Sequence, residues 1–98
     1  MVDLSIVIIN KNYLTFLKNC INSCLSQLTK YKYEIILIDD GSTDGSVLYA
    51  KKIKNRKLKI YQTKNKGIEK AANKGFKKSN AKYVVRVDSD DYLHKNFV

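Results

Sequence analysis

Two groups of carboxylates stand out by their positions: Asp39-Asp40, and Asp88-Ser89-Asp90-Asp91, five of the nine Asp and Glu residues in the chain. Each group follows a short run rich in branched apolar residues, Ile35-Ile36-Leu37-Ile38 in the first case and, with a single Arg86 in it, Val84-Val85-Arg86-Val87 in the second. Two carboxylates one residue apart, Asp88 and Asp90, can hold a hard divalent cation through oxygen, and Mg²⁺ or Mn²⁺ so held can bridge to a diphosphate. Without a cation, three crowded carboxylates would repel one another. Asp39-Asp40 runs into Gly41-Ser42-Thr43-Asp44-Gly45, a turn-forming stretch that places a carboxylate pair beside a tight loop.

The runs before the carboxylates have the character of strands buried on both faces, as in parallel sheets covered by helices. Four strands are expected, at residues 4–9, 34–38, 58–62 and 83–87. Between them the apolar period lengthens to three and four. Leu14, Leu17, Ile21, Cys24, Leu25 and Leu28 predict a helix from Tyr13 to near Thr29. A second helix is expected from Asp44 to Lys54, burying Val47, Leu48 and Ile53, with Asp44 as its N-cap. The third carries Ile68, Ala71, Ala72, Gly75, Phe76 and Ser79, and its small residues would let it approach a sheet or a ligand closely. Gly67 precedes its first turn, where free amides and the helix dipole suit a phosphate.

Alternating strands and helices with short connections imply right-handed βαβ units and a parallel sheet. The expected architecture is α/β, a Rossmann-like three-layer α/β/α arrangement in a single domain spanning residues 1–98. In such sheets ligands dock outside the carboxyl ends of the strands, where both carboxylate groups fall.

Composition narrows the partners. Nineteen Lys and Arg against nine Asp and Glu give a formal charge of +10, favouring anionic partners such as nucleotide phosphates, anionic lipid or nucleic acid. Most lysines lie on expected helices and in the stretch 51–66, where a solvated basic surface also accounts for them. Hydrophobic residues make up 44% and charged residues 29%, ordinary for a globular domain, and no apolar run reaches membrane-spanning length. Met1-Val2-Asp3 carries no signal-peptide features, so the expectation is a cytoplasmic protein or one at the inner face of the membrane. Cys20 and Cys24 lack partners at metal-site spacing and read as packed, inert thiols. His94 reads as an exposed residue.

The stretches Ser5-Ile6-Val7-Ile8-Ile9-Asn10-Lys11-Asn12, Ile38-Asp39-Asp40-Gly41-Ser42-Thr43-Asp44-Gly45 and Val87-Asp88-Ser89-Asp90-Asp91 resemble the signatures of family-2 glycosyltransferases with the GT-A fold. The resemblance covers nearly the whole chain and the first half of such a domain. It implies a truncated GT-A fold with strand order 3-2-1-4, and hence a switch-point crevice between Ile9 and Asp88. It also implies a DXD motif, with Asp90 as metal ligand and Asp88 near ribose and metal, Mn²⁺ or Mg²⁺ being the cofactor.

By the same resemblance Asp40 accepts a hydrogen bond from the base, usually uracil, and Asn10 and Asn12 belong to a loop that contacts it. Gly67, Lys70 and Ser89 complete the expected donor-binding set, and Asp39 reads as structural. Two departures stand out. Lys11 occupies a position where the family often has an aromatic residue. Ala71-Ala72-Asn73 stands where an alanine-arginine-asparagine triplet is expected, so Lys66, Lys70 or Lys74 would have to supply the cation, without arginine's planar fork.

The activity implied is sugar transfer from an NDP-sugar, with UDP-sugar expected, to an unidentified saccharide or lipid-linked acceptor. In the family the catalytic base comes from a segment well downstream of DXD, so no base is expected in this chain. A nucleotide-binding module without transferase activity is the alternative. A nucleic-acid-binding domain is a weaker one, because no interleaving of aromatic and basic residues accompanies the lysines. The strand at 83–87 is expected at the sheet border, where an open edge could pair with a second copy of the chain.

Overall fold

The structure, a computed structural model, describes residues 2–90 and 97–98; Asp91 and His94, both singled out above, lie outside the described residues. In chain order the elements are β1 (Leu4–Asn10), α1 (Leu14–Leu25), β2 (Tyr33–Asp39), α2 (Ser46–Lys52), β3 (Leu58–Gln62), α3 (Ile68–Lys78) and β4 (Tyr83–Asp88). All strand pairings are parallel, and the order is β3-β2-β1-β4. The strand order expected from the resemblance is the one found.

Strand alternation sorts the core into two layers. Ile6, Ile8, Ile35, Leu37 and Val87 pack with Leu17, Cys20, Ile21 and Cys24 of α1 and with Ala50 of α2. Val7, Ile9, Ile36 and Ile38 turn the other way, against Ala71 and Ala72 of α3. The division follows from handedness. Successive right-handed crossovers from β1 to β2 to β3 put α1 and α2 on one face, and the return from β3 to β4 reverses direction and puts α3 on the other. The reversal leaves a cleft between the carboxyl ends of β1 and β4, where Ile9 and Asp88 are register partners.

The third helix lies close to the sheet because its residues are small. A Cβ on Gly75 would stand 2.5 Å from Val7 Cγ1 and 3.3 Å from Ile38 Cγ1, so no side chain fits there without displacing the core.

Two helices differ from expectation. The first ends at Leu25, and Leu28, assigned above to its apolar stripe, is 63% exposed. Polar side chains take up the carbonyls of the final turns: Ser23 Oγ donates to Cys20 O at 2.8 Å and Gln27 Nε2 to Ser23 O at 3.1 Å, an alternative to continuing the helix. The second starts at Ser46 rather than Asp44 and ends at Lys52. It buries Ser46 and Ala50, with Tyr49 and Ile53 packed partly against the core, the 46-49-50-53 stripe of one helical face. Leu48 falls off that stripe and is 63% exposed, which corrects its assignment to the buried face.

Gly45 is the N-cap of α2, in a left-handed conformation with φ +88°. Asp44 serves the helix from the preceding position, its Oδ1 accepting from the Ser46 amide at 3.0 Å. Its Oδ2 accepts from the Leu14 amide, the first of α1, at 2.9 Å. One carboxylate therefore satisfies orphan amides at the starts of two helices. The side chains of Cys20 and Cys24 are buried in the core.

Candidate functional site

The end of β2 divides its two aspartates. Asp39 turns into a mesh of loop contacts: its Oδ1 accepts from Asn10 Nδ2 at 3.0 Å and Ser42 Oγ at 2.6 Å, and its Oδ2 from the Ser42 amide at 2.9 Å. Asn12, in the left-handed region at φ 58°, joins the mesh, its amide donating to Ser42 Oγ at 2.9 Å and its Oδ1 accepting from the Thr43 amide at 2.7 Å. These bonds fasten the loop after β1 to the loop after β2. Asn10 Oδ1 is buried without a hydrogen-bond partner among the described residues.

Asp40 turns the other way, toward the start of α3. Its Oδ1 accepts from Thr63 Oγ1 at 2.5 Å and from the Lys66 amide at 2.7 Å, and its Oδ2 accepts from the Gly67 amide at 2.9 Å. The residue is only 4% exposed. Burial alone would raise its pKa, but these donors, helped by the charge of Lys11, outweigh burial and hold the carboxyl below its ordinary value. Asp40 is therefore a fixed anion at neutral pH. Gly67 makes the geometry feasible with φ +93° and ψ 158°, a backbone region essentially restricted to glycine.

A cavity of about 460 Å³ opens beside Asp40, lined by Ile9, Lys11, Tyr13, Asn65, Gly67 and Ile68 and, from the β4 side, by Arg86, Asp88, Ser89 and Asp90. Asp40, Gly67, Asp88, Ser89 and Asp90, singled out from sequence, thus share one cleft at the switch point. Asn10, Asn12 and Lys70 do not line it. The two asparagines belong to the loop mesh, Asn10 buried and Asn12 exposed outside the cleft, and Lys70 is exposed on α3. Lys74 points away, its Nζ donating to Gln62 O at 3.2 Å.

The cations that do line the cleft are Lys11 and Arg86. Arg86 was not singled out from sequence as a cleft residue, although a charge interrupting an otherwise apolar parallel strand was a signal. Its Nη2 lies 3.4 Å from Asp88 Oδ1. Tyr13, whose ring meets Phe16 edge-on with centroids 6.0 Å apart, adds an aromatic wall that stood in sequence only as the first residue of a helix.

Among the described residues no three His, Cys, Asp or Glu side chains converge as a metal cage. Asp88 and Asp90 offer two carboxylates at the cleft wall, with the Asp88 side chain about half exposed. That donor set fits an ion such as Mg²⁺ or Mn²⁺, which keeps several waters and binds through one or two carboxylates plus substrate phosphates.

A parallel α/β sheet with a cleft at its switch point places the chain in the Rossmann-like class of folds. The family is more specific: the profile of glycosyl transferase family 2 matches residues 5–98, and the chain belongs to that family. It is 39% identical over 96 residues to the cholesterol galactosyltransferase of Borreliella burgdorferi, covering 96% of this chain and 26% of that protein. An uncharacterised glycosyltransferase of Rickettsia conorii is 38% identical over 94 residues, covering 95% of this chain and 15% of its own length. The crystal structure of TarS from S. aureus in complex with UDP superimposes with a TM-score of 0.86 at 31% identity, over 96% of this chain and 29% of that one. The same protein has been solved with UDP-GlcNAc. The fold is that of GT-A glycosyltransferases, and the chain spans well under half the length of these relatives.

Proposed function

We propose that residues 1–98 form the donor-binding part of a glycosyltransferase that takes a sugar from a nucleoside-diphosphate sugar, with UDP as the nucleotide. The observation that carries this reading is the gathering of Asp40, Gly67, Asp88, Ser89 and Asp90 around one cleft. The UDP and UDP-GlcNAc complexes of TarS support the choice of uridine.

In this reading the base enters between Ile9 and Ile68, and its imide N–H donates to Asp40 Oδ2, which has a single described donor. Asp40 needs no rearrangement to accept, because Thr63, Lys66 and Gly67 already fix it as an anion. Asp88 and Ser89 sit beside the ribose, and Asp90 toward the diphosphate. A divalent cation held by Asp88 and Asp90 would supply Lewis-acid neutralisation of the charge that builds on the departing diphosphate. Asn10 and Asn12 act indirectly, by holding the loop after β1 that carries Lys11 and Tyr13. We assign the acceptor pocket and the base that activates the acceptor hydroxyl to the further length that the relatives possess.

Calorimetric titration of UDP with and without Mn²⁺, on the 98-residue chain and on Asp90→Ala, tests the reading. Metal-dependent binding that is lost in the variant is expected. Unchanged affinity in the presence of chelator would remove the metal bridge, and no binding of any nucleoside diphosphate would remove the reading altogether.

A further inference from the structure

Arg86 is unexplained by the reading above. It stands on β4 opposite Val7 in the register, and Val7 belongs to the apolar layer under α3 together with Ala71 and Ala72. The side chain therefore rises from the α3 side of the sheet into the cleft it shares with Asp40. Its backbone lies two residues before Asp88, about 6.6 Å back along the strand at about 3.3 Å per residue, and its side chain reaches forward to the level of the Asp88 carboxylate. Its side chain is 35% exposed. Of its five N–H donors one is directed at a described partner, Asp88 Oδ1, at a long 3.4 Å. A guanidinium with donors to spare lines the same cleft as the fixed acceptor Asp40, a donor on β4 facing an acceptor at the end of β2 with β1 between them.

We propose that Arg86 reads the nucleobase, donating to the carbonyl that flanks the imide N–H accepted by Asp40, so that the pair selects uracil over cytosine. This rests on the donor-binding reading above. Uracil offers N3–H and an adjacent carbonyl, matching an acceptor and a donor. Cytosine offers a bare N3 and an amino group at the same edge, so it would set a lone pair against the Asp40 carboxylate and N–H against the guanidinium. Leaving polar groups mispaired in this way is what makes a hydrogen-bonding site discriminate strongly. Lys11 adds charge near Asp40, but as a point charge on a flexible stem it lacks the planar fork that fixes direction.

The test is the affinity of UDP, UMP and CDP for the chain, its Arg86→Ala variant and its Arg86→Lys variant, with thermal melts confirming folding. Arg86→Ala is expected to weaken UDP and UMP by a similar factor, roughly ten-fold for loss of a charge-assisted hydrogen bond, and to leave CDP nearly unchanged. Arg86→Lys should recover less than half of the UDP-over-CDP preference, and it decides the matter if the alanine variant does not fold. A loss that grows with the number of phosphates would reassign Arg86 to the diphosphate and overturn the proposal. Equal losses for UDP and CDP would overturn it too, making Arg86 a prop for Asp88. If the unmodified chain binds UDP with Mn²⁺ and Arg86→Ala keeps its UDP-over-CDP ratio, only the role of Arg86 falls; if the unmodified chain binds neither nucleotide, the donor-binding reading falls with it.

Discussion

The Gly67 amide donates to Asp40 Oδ2 at 2.9 Å, tying the end of β2 to the first turn of α3 across the mouth of the cleft. With the Lys66 amide and Thr63 Oγ1 on Oδ1, three donors converge on one carboxylate. Asp40→Asn presents an NH₂ group to at least one of them. The substitution should therefore cost stability, about 1–3 kcal/mol for a buried group set against the wrong partner, and should also weaken UDP about ten-fold or more. Urea unfolding and UDP titration of the same variant check the two effects. Equal losses for UDP and for inorganic diphosphate would count against the base contact.

Asp44 links the starts of α1 and α2 through the Leu14 and Ser46 amides. Removing an ordinary cap costs about 0.5–2 kcal/mol, and this side chain serves two helices, so Asp44→Ala should fall in the upper part of that range. Asp44→Asn, which keeps one acceptor oxygen, should lose less. Chemical denaturation of both variants gives the comparison, and a loss under a few tenths of a kcal/mol for alanine would show that water replaces the carboxylate at both helices.

Much of this was legible in sequence. The strands were, because Ile35 to Ile38 and Ser5 to Ile9 are short, mostly β-branched runs bounded by polar turn formers, the character of strands in a doubly covered parallel sheet. The close approach of α3 was visible in Ala71, Ala72 and Gly75. The ends of α1 and α2 were not, because they depend on where Ser23, Gln27 and Asp44 send their side chains, which no apolar period records. In the site, spacing placed Asp88 and Asp90 at the cleft, but it could not say that Asn10 and Asn12 would be used up bracing the Ser42-Thr43 loop. That depends on contacts between residues about thirty positions apart.

Gly75→Ala opposes two effects of known size. Alanine is favoured over glycine in a helix by about 1 kcal/mol. Its Cβ would lie 2.5 Å from Val7 Cγ1 in a fully buried layer, and overpacking of that kind costs about 1–3 kcal/mol. A net loss of about 1 kcal/mol is expected in thermal or urea unfolding. A stabilised variant would mean that α3 lifts from the sheet without penalty.

Acid should unfold the domain through a small set of carboxylates. In Asp40, Asp44 and Glu34 burial acts to raise the pKa, but hydrogen bonds outweigh it and each carboxyl lies below its ordinary value; for Glu34 the donors are Lys59 and Ser5, at 2.6 Å and 2.5 Å. Because each folded pKa is below the unfolded one, the unfolded chain takes up protons first as pH falls. The stability these groups contribute is full above about pH 5 and is lost as the pH drops through the unfolded carboxylate range, about 3.9–4.3, toward the folded values. Urea midpoints measured from pH 7 to pH 3 should decline in that window, and more shallowly in Asp44→Asn. A midpoint independent of pH would exclude these carboxylates as contributors.

The two sheet edges are guarded differently, and this predicts how the isolated chain behaves. Strand β3 forms one border, and it carries Lys59 and follows the basic stretch 51–57, the kind of charge that keeps an open edge from pairing. Strand β4 forms the other, pairs among the described residues with β1 alone, and leaves Tyr83 71% exposed beside Val84, 39% exposed. An apolar edge with free backbone groups is a template for another strand. The 98-residue chain is therefore expected to self-associate along β4, with light scattering showing dimers or larger species as concentration rises. Val84→Lys should shift the population to monomer while leaving the thermal transition of the monomer nearly unchanged, because Val84 contributes little to the buried core. A strict monomer at high concentration would sink this prediction, and association that persists unchanged in Val84→Lys would move the contact to another face.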